Sequence, residues 1–176
     1  FLCGTLSRAL ARASVKVAVL DILPDAAEAV VADIEADGGV GLAVTCDVLD
    51  KESIEAASET VRAEFGQVDI LINGAGGNKK QASTSETKAF FDLPVDAVQW
   101  DFNLNFIGTL LPSQVFGKLM AERGEGVILN VSSMNAFRPL TRIPAYSGAK
   151  AAVSNFTQWL AVHMNQEYAS DIRVNA

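Results

Sequence analysis

Residues 15–45, VKVAVLDILPDAAEAVVADIEADGGVGLAVT, decide the fold. The run Val15 to Leu20 is mostly apolar and β-branched, the pattern of a strand buried on both faces, and it stops at Asp21. Pro24 opens a stretch rich in Ala and Glu that reaches Asp37. Proline suits the first turn of a helix, and Gly38-Gly39 ends it. Val40 to Thr45 repeats the strand pattern. Strand, helix and strand in about thirty residues make a βαβ unit, whose two strands lie parallel.

The alternation continues outward in both directions. Thr5 to Ala13 is helix-prone and precedes the first strand. Asp50 caps a helix that runs to about Phe65 and closes at Gly66. Val68 to Ile72 is the third strand, and a polar stretch, Gly74 to Glu86, follows it. Val95 to Met120 reads as a helix weakened locally by Gly108 and Pro112. Val127 to Val131 is the fourth strand, Ala145 to Tyr168 a long helix, and Ile172 to Val174 the start of a fifth strand. The expected fold class is α/β: a doubly wound, mainly parallel sheet of Rossmann type in three layers, αβα. No repeat, low-complexity segment or linker divides the 176 residues, so 1–176 reads as a single domain.

Composition narrows the function classes. With 49% apolar and 20% charged residues the chain has material for a buried core. Twenty-one Asp and Glu against fourteen Lys and Arg give a net charge of −7, which repels nucleic acid and anionic membrane surfaces. The apolar runs fall far short of the ~20 residues a membrane span requires. Cys3 and Cys46 support neither a disulfide framework nor a metal cluster, and His163 is the single histidine. No metal is expected, and a reducing cytoplasm is the default location.

Three places carry chemistry. Gly4 lies near a helix start, and Asp21 ends the strand that follows. In a dinucleotide-binding unit the pyrophosphate rests on a helix N-terminus and an acidic residue about 20 positions on bonds the ribose hydroxyls. An ordinary helix and strand read the same way. Asn73-Gly74-Ala75-Gly76-Gly77 sets small residues at the carboxyl end of the third strand, where a ligand can approach the backbone, or else forms a flexible turn. Tyr146 and Lys150 stand at i and i+4 of a helix, on one face, with Ser133 upstream. A cation beside a phenol favours the phenolate and so suits it to proton transfer. On spacing alone the two also suit a surface pair.

Taken together, these segments resemble the short-chain dehydrogenase/reductase family over essentially the whole chain. The resemblance rests on Asn73 to Gly77, the Asn-Val-Ser-Ser strand end Asn130 to Ser133, and the YxxxK signature Tyr146 to Lys150. Asp47-Val48 and Asn103-Leu104 agree in order and spacing. What it implies is an NAD(P)-dependent oxidoreductase acting on CH–OH groups. Tyr146 would be the general acid or base, Lys150 would support it and bond the nicotinamide ribose, Ser133 would hold the substrate oxygen, and Asn103 would order a water relay. Asp47, with Val48, would meet the adenine, and Asn73, Gly74 and Ala75 would line the adenosine and ribose. Asp21 would take the ribose hydroxyls and repel a 2′-phosphate, which favours NAD over NADP. The last glycine of the family's glycine-rich turn would fall at Cys3 or Gly4. The family's 3-2-1-4-5-6 strand order has a first, central strand and a C-terminal substrate segment for which these residues hold no counterpart. The chain is therefore expected to be truncated at both ends, from a domain of about 250 residues.

Substrate information sits in two loops. Lys79 and Lys80 follow the glycine cluster, while Arg138 and Arg142 lie between Ser133 and Tyr146. Guanidinium groups pair with carboxylates bidentately. Residues 77–96 and 103–118 resemble the fructuronate reductase and D-mannonate oxidoreductase subgroup, which implies a sugar acid or hydroxylated keto-acid substrate. A 3-oxoacyl-thioester reductase is the alternative within the family, although NADPH would suit it better than Asp21 allows. A catalytically silent nucleotide-binding regulator would keep Asp21, Asp47 and the glycines without needing Ser133, Tyr146 and Lys150. A methyltransferase-like domain would leave the YxxxK pair unexplained. The family also implies a homo-oligomer, dimer or tetramer, built partly on the helix carrying Phe156, Trp159 and Leu160.

Overall fold

Two runs of β-branched residues flanking an Ala-rich helix build the first sheet of the computed structural model, which describes residues 2–176. β1 (Val17–Asp21) pairs in parallel with β2 (Gly41–Thr45), in register from Val17 opposite Gly41 to Asp21 opposite Thr45. α2 (Pro24–Ala36) joins them, with Pro24 in its first turn. α1 (Leu2–Arg12) precedes β1 and packs on α2. Ala11, Val17 and Ile34 form the buried centre, enclosed by Leu10, Val15, Val19 and Val30. α3 (Lys51–Phe65) begins where the Asp50 side chain accepts the Glu52 N–H at 3.0 Å and ends at Gly66, whose φ of 86° a side chain would disfavour. These elements make the first of two compact units, Phe1–Val68 and Asp69–Ala176.

The second unit holds β3 (Ile70–Asn73), β4 (Glu125–Asn130) and β5 (Asp171–Asn175), all parallel in the order β3-β4-β5. Its helices are α4 (Val95–Phe102), α5 (Gly108–Arg123) and α6 (Pro144–Glu167). Parallel sheets flanked by helices define the doubly wound α/β class. Each unit carries its own parallel sheet, β1-β2 in the first and β3-β4-β5 in the second. Phe116, Met120, Ile128, Val153, Met164 and Ile172 are buried between sheet and helices. Among the described residues no helix is long and apolar enough to cross a membrane.

The helix expected over 95–120 is two α-helices joined by a π-helical turn, Asn103–Ile107. Pro112 has no N–H with which to bond the carbonyl of Gly108, so the regular ladder is broken just beyond the turn. Side chains also bond three carbonyls along the same face. Asn105 Nδ2 donates to Asp101 O at 2.7 Å, Thr109 Oγ1 to Asn105 O at 3.0 Å, and Ser113 Oγ to Thr109 O at 2.7 Å. The stretch after β3 is not plain loop either. It carries short 3-10 turns at Lys80–Ala82 and Phe90–Asp92.

Candidate active site

Lys150 sits on α6 one turn after Tyr146, and the helix aims it inward. Its Nζ lies 5.7 Å from the centre of the Tyr146 ring and donates to Val131 O at 2.7 Å. The residue is only 4% exposed, which rules out a solvated surface pair. Val131 directly follows β4, so the ammonium is held at the carboxyl rim of the parallel sheet. Open α/β sheets bind ligands at that rim.

The two serines after Val131 have different surroundings. Ser132 is committed to α6, its Oγ 2.6 Å from Ser154 Oγ and donating to Lys150 O at 3.3 Å. Ser133 caps the short turn Met134–Ala136, accepting the Asn135 N–H at 3.2 Å, and that turn packs on α6. Its hydroxyl hydrogen remains available to a ligand.

The geometry corrects one expected site residue. Asn103 is exposed on the π-helical turn, while Asn105, two residues on, is 0% exposed and faces the glycine loop. Asn105 Nδ2 donates to Gly77 O at 2.7 Å and its Oδ1 accepts the Gly77 N–H at 3.3 Å. A Cβ on Gly76 would stand 2.7 Å from Asn105 Oδ1 and 3.4 Å from Lys150 Nζ, so this one glycine brings the loop, Asn105 and Lys150 together. Asp101, Asn105, Thr109 and Ser113 recur at four-residue spacing and are all buried, but a polar stripe in the sequence reads equally well as a solvent face. Reading Asn103 from its place after the third strand missed Asn105 by two positions.

Asn73 is buried at the end of β3. Its side chain points into the core and not toward a ligand, since Nδ2 donates to Ser113 Oγ and to Asn130 Oδ1, both at 2.9 Å. Asn130 in turn donates to Thr157 Oγ1 at 2.9 Å. Gly74 and Ala75 lie half-buried in the loop that leaves β3.

Arg138 and Arg142 are exposed. The Thr84 N–H donates to Arg142 O at 2.9 Å, which ties their loop to the segment after the glycine cluster. Lys79 lays its Nζ over the Trp100 ring, 4.1 Å from the centre.

In the first unit Asp21 ends β1 and uses Oδ1 to accept the Leu23 N–H at 3.0 Å. Asp47 and Val48 follow β2 at the same rim. Asp47 Oδ1 accepts the Leu49 N–H at 2.9 Å, and the Asp47 N–H is held by Ser53 Oγ at 3.0 Å. Gly4 lies in the first turn of α1 against α2, where a Cβ would come to 3.3 Å of Val30. Its missing side chain therefore serves helix packing. Among the described residues no group of three His, Cys, Asp or Glu side chains is arranged to hold a metal.

Parallel sheets flanked by helices, with a tyrosine, a buried lysine and a serine at the carboxyl rim of the second, define the class. The chain belongs to the short chain dehydrogenase family, whose model matches residues 3–176. It is 46% identical over 185 residues to an uncharacterized oxidoreductase of Haemophilus influenzae, covering 99% of this chain and 64% of that protein. An uncharacterized oxidoreductase, UxuB, of Bacillus subtilis is 45% identical, with 99% and 65% covered. Among solved structures, a Haemophilus influenza protein assigned as a D-mannonate oxidoreductase, crystallised with bound NAD, superposes with a TM-score of 0.93 at 46% identity. That match covers 100% of this chain and 65% of the other. The chain thus spans 64–65% of the length of these proteins.

Proposed function

We propose that this protein is an NAD-dependent oxidoreductase that interconverts a carbonyl and a secondary alcohol, with a sugar acid or related hydroxylated keto-acid as substrate. The observation that carries the reading is the buried Lys150 ammonium beside Tyr146, at the sheet rim where Ser133 keeps a donor hydrogen. A bound nicotinamide would supply or take up the hydride. Tyr146 gives its hydroxyl proton to the substrate oxygen in reduction and receives it in oxidation. Ser133 donates a hydrogen bond to that oxygen, and the Lys150 ammonium stabilises negative charge developing on the phenol. Asn105 takes the place expected of Asn103 beside Lys150.

The residues present fit the cofactor. Asp21 ends β1 with one oxygen engaged by its own loop, which leaves the other for ribose hydroxyls and sets a negative charge against a 2′-phosphate. Asp47, Val48, Gly74 and Ala75 are its other proposed neighbours, and Asn73 contributes through its backbone alone. The H. influenza neighbour with NAD supports the same choice. Arg138 and Arg142, exposed at the mouth of the Ser133 loop, are proposed to meet the substrate carboxylate. A single domain acting as a cytoplasmic homo-oligomer, dimer or tetramer, completes the reading. Trp159, 56% exposed on α6, is consistent with the oligomer.

The test is NADH oxidation by the full protein with keto-sugar acids, acyl thioesters and simple ketones. Turnover should be highest with the sugar acids. Replacing Tyr146→Phe should lower kcat by about 10²–10⁴-fold while NADH binding stays nearly unchanged. Full activity of that variant would overturn the assignment, and a preference for acyl thioesters would favour the thioester reductase.

A further inference from the structure

The loop after the glycine cluster is fastened to one helix face at successive points. Asn105 grips Gly77 through both its N–H and its carbonyl. Two residues further, the Lys79 N–H donates to Asp101 Oδ1 at 2.7 Å. Asp101 lies one turn before Asn105 and is 0% exposed, and its own carbonyl accepts a second bond from Asn105 Nδ2 at 2.7 Å. Asp101 therefore touches the loop with its side chain and Asn105 with its main chain.

Keeping a carboxyl there is costly. Its Oδ2 has no hydrogen-bond partner among the described residues. Burial pushes the Asp101 carboxyl above the usual carboxylate range, while the Lys79 amide and then the Lys79 charge pull it back. An apolar side chain would pack beside Ala97 and Val98 without that burden, but would leave the Lys79 N–H without its acceptor.

We infer that Asp101 is a positioning residue, which latches the Gly77–Lys79 strap to α4 and so keeps Gly76 and Asn105 in place beside Lys150. The catalytic side of the inference rests on the oxidoreductase reading above. The latch itself does not. Spacing at the site leaves little slack, because Gly76 already approaches Asn105 as closely as a hydrogen-only side chain allows. A shift of about 1 Å in such a cluster costs on the order of 10²-fold in rate.

Two routes remove the latch in the full protein. Asp101→Ala deletes the acceptor, and Lys79→Pro deletes the donor without touching the core, since Lys79 already has φ −76°. Asp101→Asn keeps an acceptor oxygen in the same place, and Lys79→Ala keeps the N–H. Hydrogen exchange over residues 77–84 should rise in Asp101→Ala and Lys79→Pro and stay at the wild-type level in Asp101→Asn and Lys79→Ala. The two latch-breaking variants should lose about 10- to 100-fold in kcat with NADH affinity within about twofold of wild type, and Asp101→Asn should restore kcat to within about threefold. Wild-type exchange and kcat in Lys79→Pro would overturn the inference, even if Asp101→Ala fails to fold. So would an Asp101→Asn variant as impaired as Asp101→Ala. A wild-type protein inert toward NADH would sink the oxidoreductase reading instead, and the exchange data would still decide the latch.

Discussion

A methyl group on Gly76 would come within 2.7 Å of Asn105 Oδ1, and Asn105 cannot swing aside because Gly77 and Asp101 hold its amide through two 2.7 Å bonds. The strain would therefore pass into the loop or into Lys150. Gly76→Ala should lower kcat by about tenfold or more, with a stability loss of about 1–3 kcal/mol, the usual cost of overpacking. Turnover and urea unfolding of the variant measure the two separately, and unchanged turnover would show that the loop has slack. Residue choice at this scale was only partly legible in the sequence. Tyr146, Lys150 and Ser133 stand out by the family signature they match, since spacing alone also suits a surface pair, but Asn103 and Asn105 differ by two positions inside a π-helical turn. There the i→i+5 pattern no longer follows the 3.6-residue period that predicts which side faces inward.

At the scale of elements, the buried polar side chains tie strands to helices. Asn73 on β3 bonds Ser113 on α5 and Asn130 on β4, and Asn130 bonds Thr157 on α6. Truncating Asn130 to Ala leaves Asn73 short of an acceptor and removes the amide that Thr157 accepts. The expected loss is about 1–3 kcal/mol by urea denaturation, and the Asn73→Ala and Asn130→Ala double variant should lose less than the sum of the two single changes. Strict additivity would mean that the ladder does not act as a unit. Element boundaries were readable to within a few residues, because β-branched runs, Pro24, Asp50 and Gly66 act locally. The interruption of the 95–120 helix was readable as a weakness at Gly108 and Pro112, but not as a π-helical turn over Asn103–Ile107. Around the turn, Asn105, Thr109 and Ser113 each bond the carbonyl four residues back, and such side-chain bonds leave no period to read.

For the whole molecule, the proposed cofactor selector and the proposed chemistry fall in different compact units. Asp21 belongs to Phe1–Val68, and Tyr146 with Lys150 to Asp69–Ala176. Asp21→Ala should therefore narrow the preference for NADH over NADPH by about tenfold or more in kcat/KM, the scale of one lost charged contact. The kcat at saturating NADH should change little. An equal fall in kcat would tie Asp21 to the chemical step and contradict that division.

Order of elements, parallel pairing and the family signature follow from residues close together in the chain, since strand and helix periods, caps and the i, i+4 pairing of Tyr146 with Lys150 are local properties. Which asparagine faces the glycine loop, why Asn73 turns into the core, and why a buried Asp101 is kept could be decided only once the chain was folded. Each depends on a partner far along the sequence, Gly77, Asn130 or Lys79, and hydrogen bonds between distant residues leave no period to read.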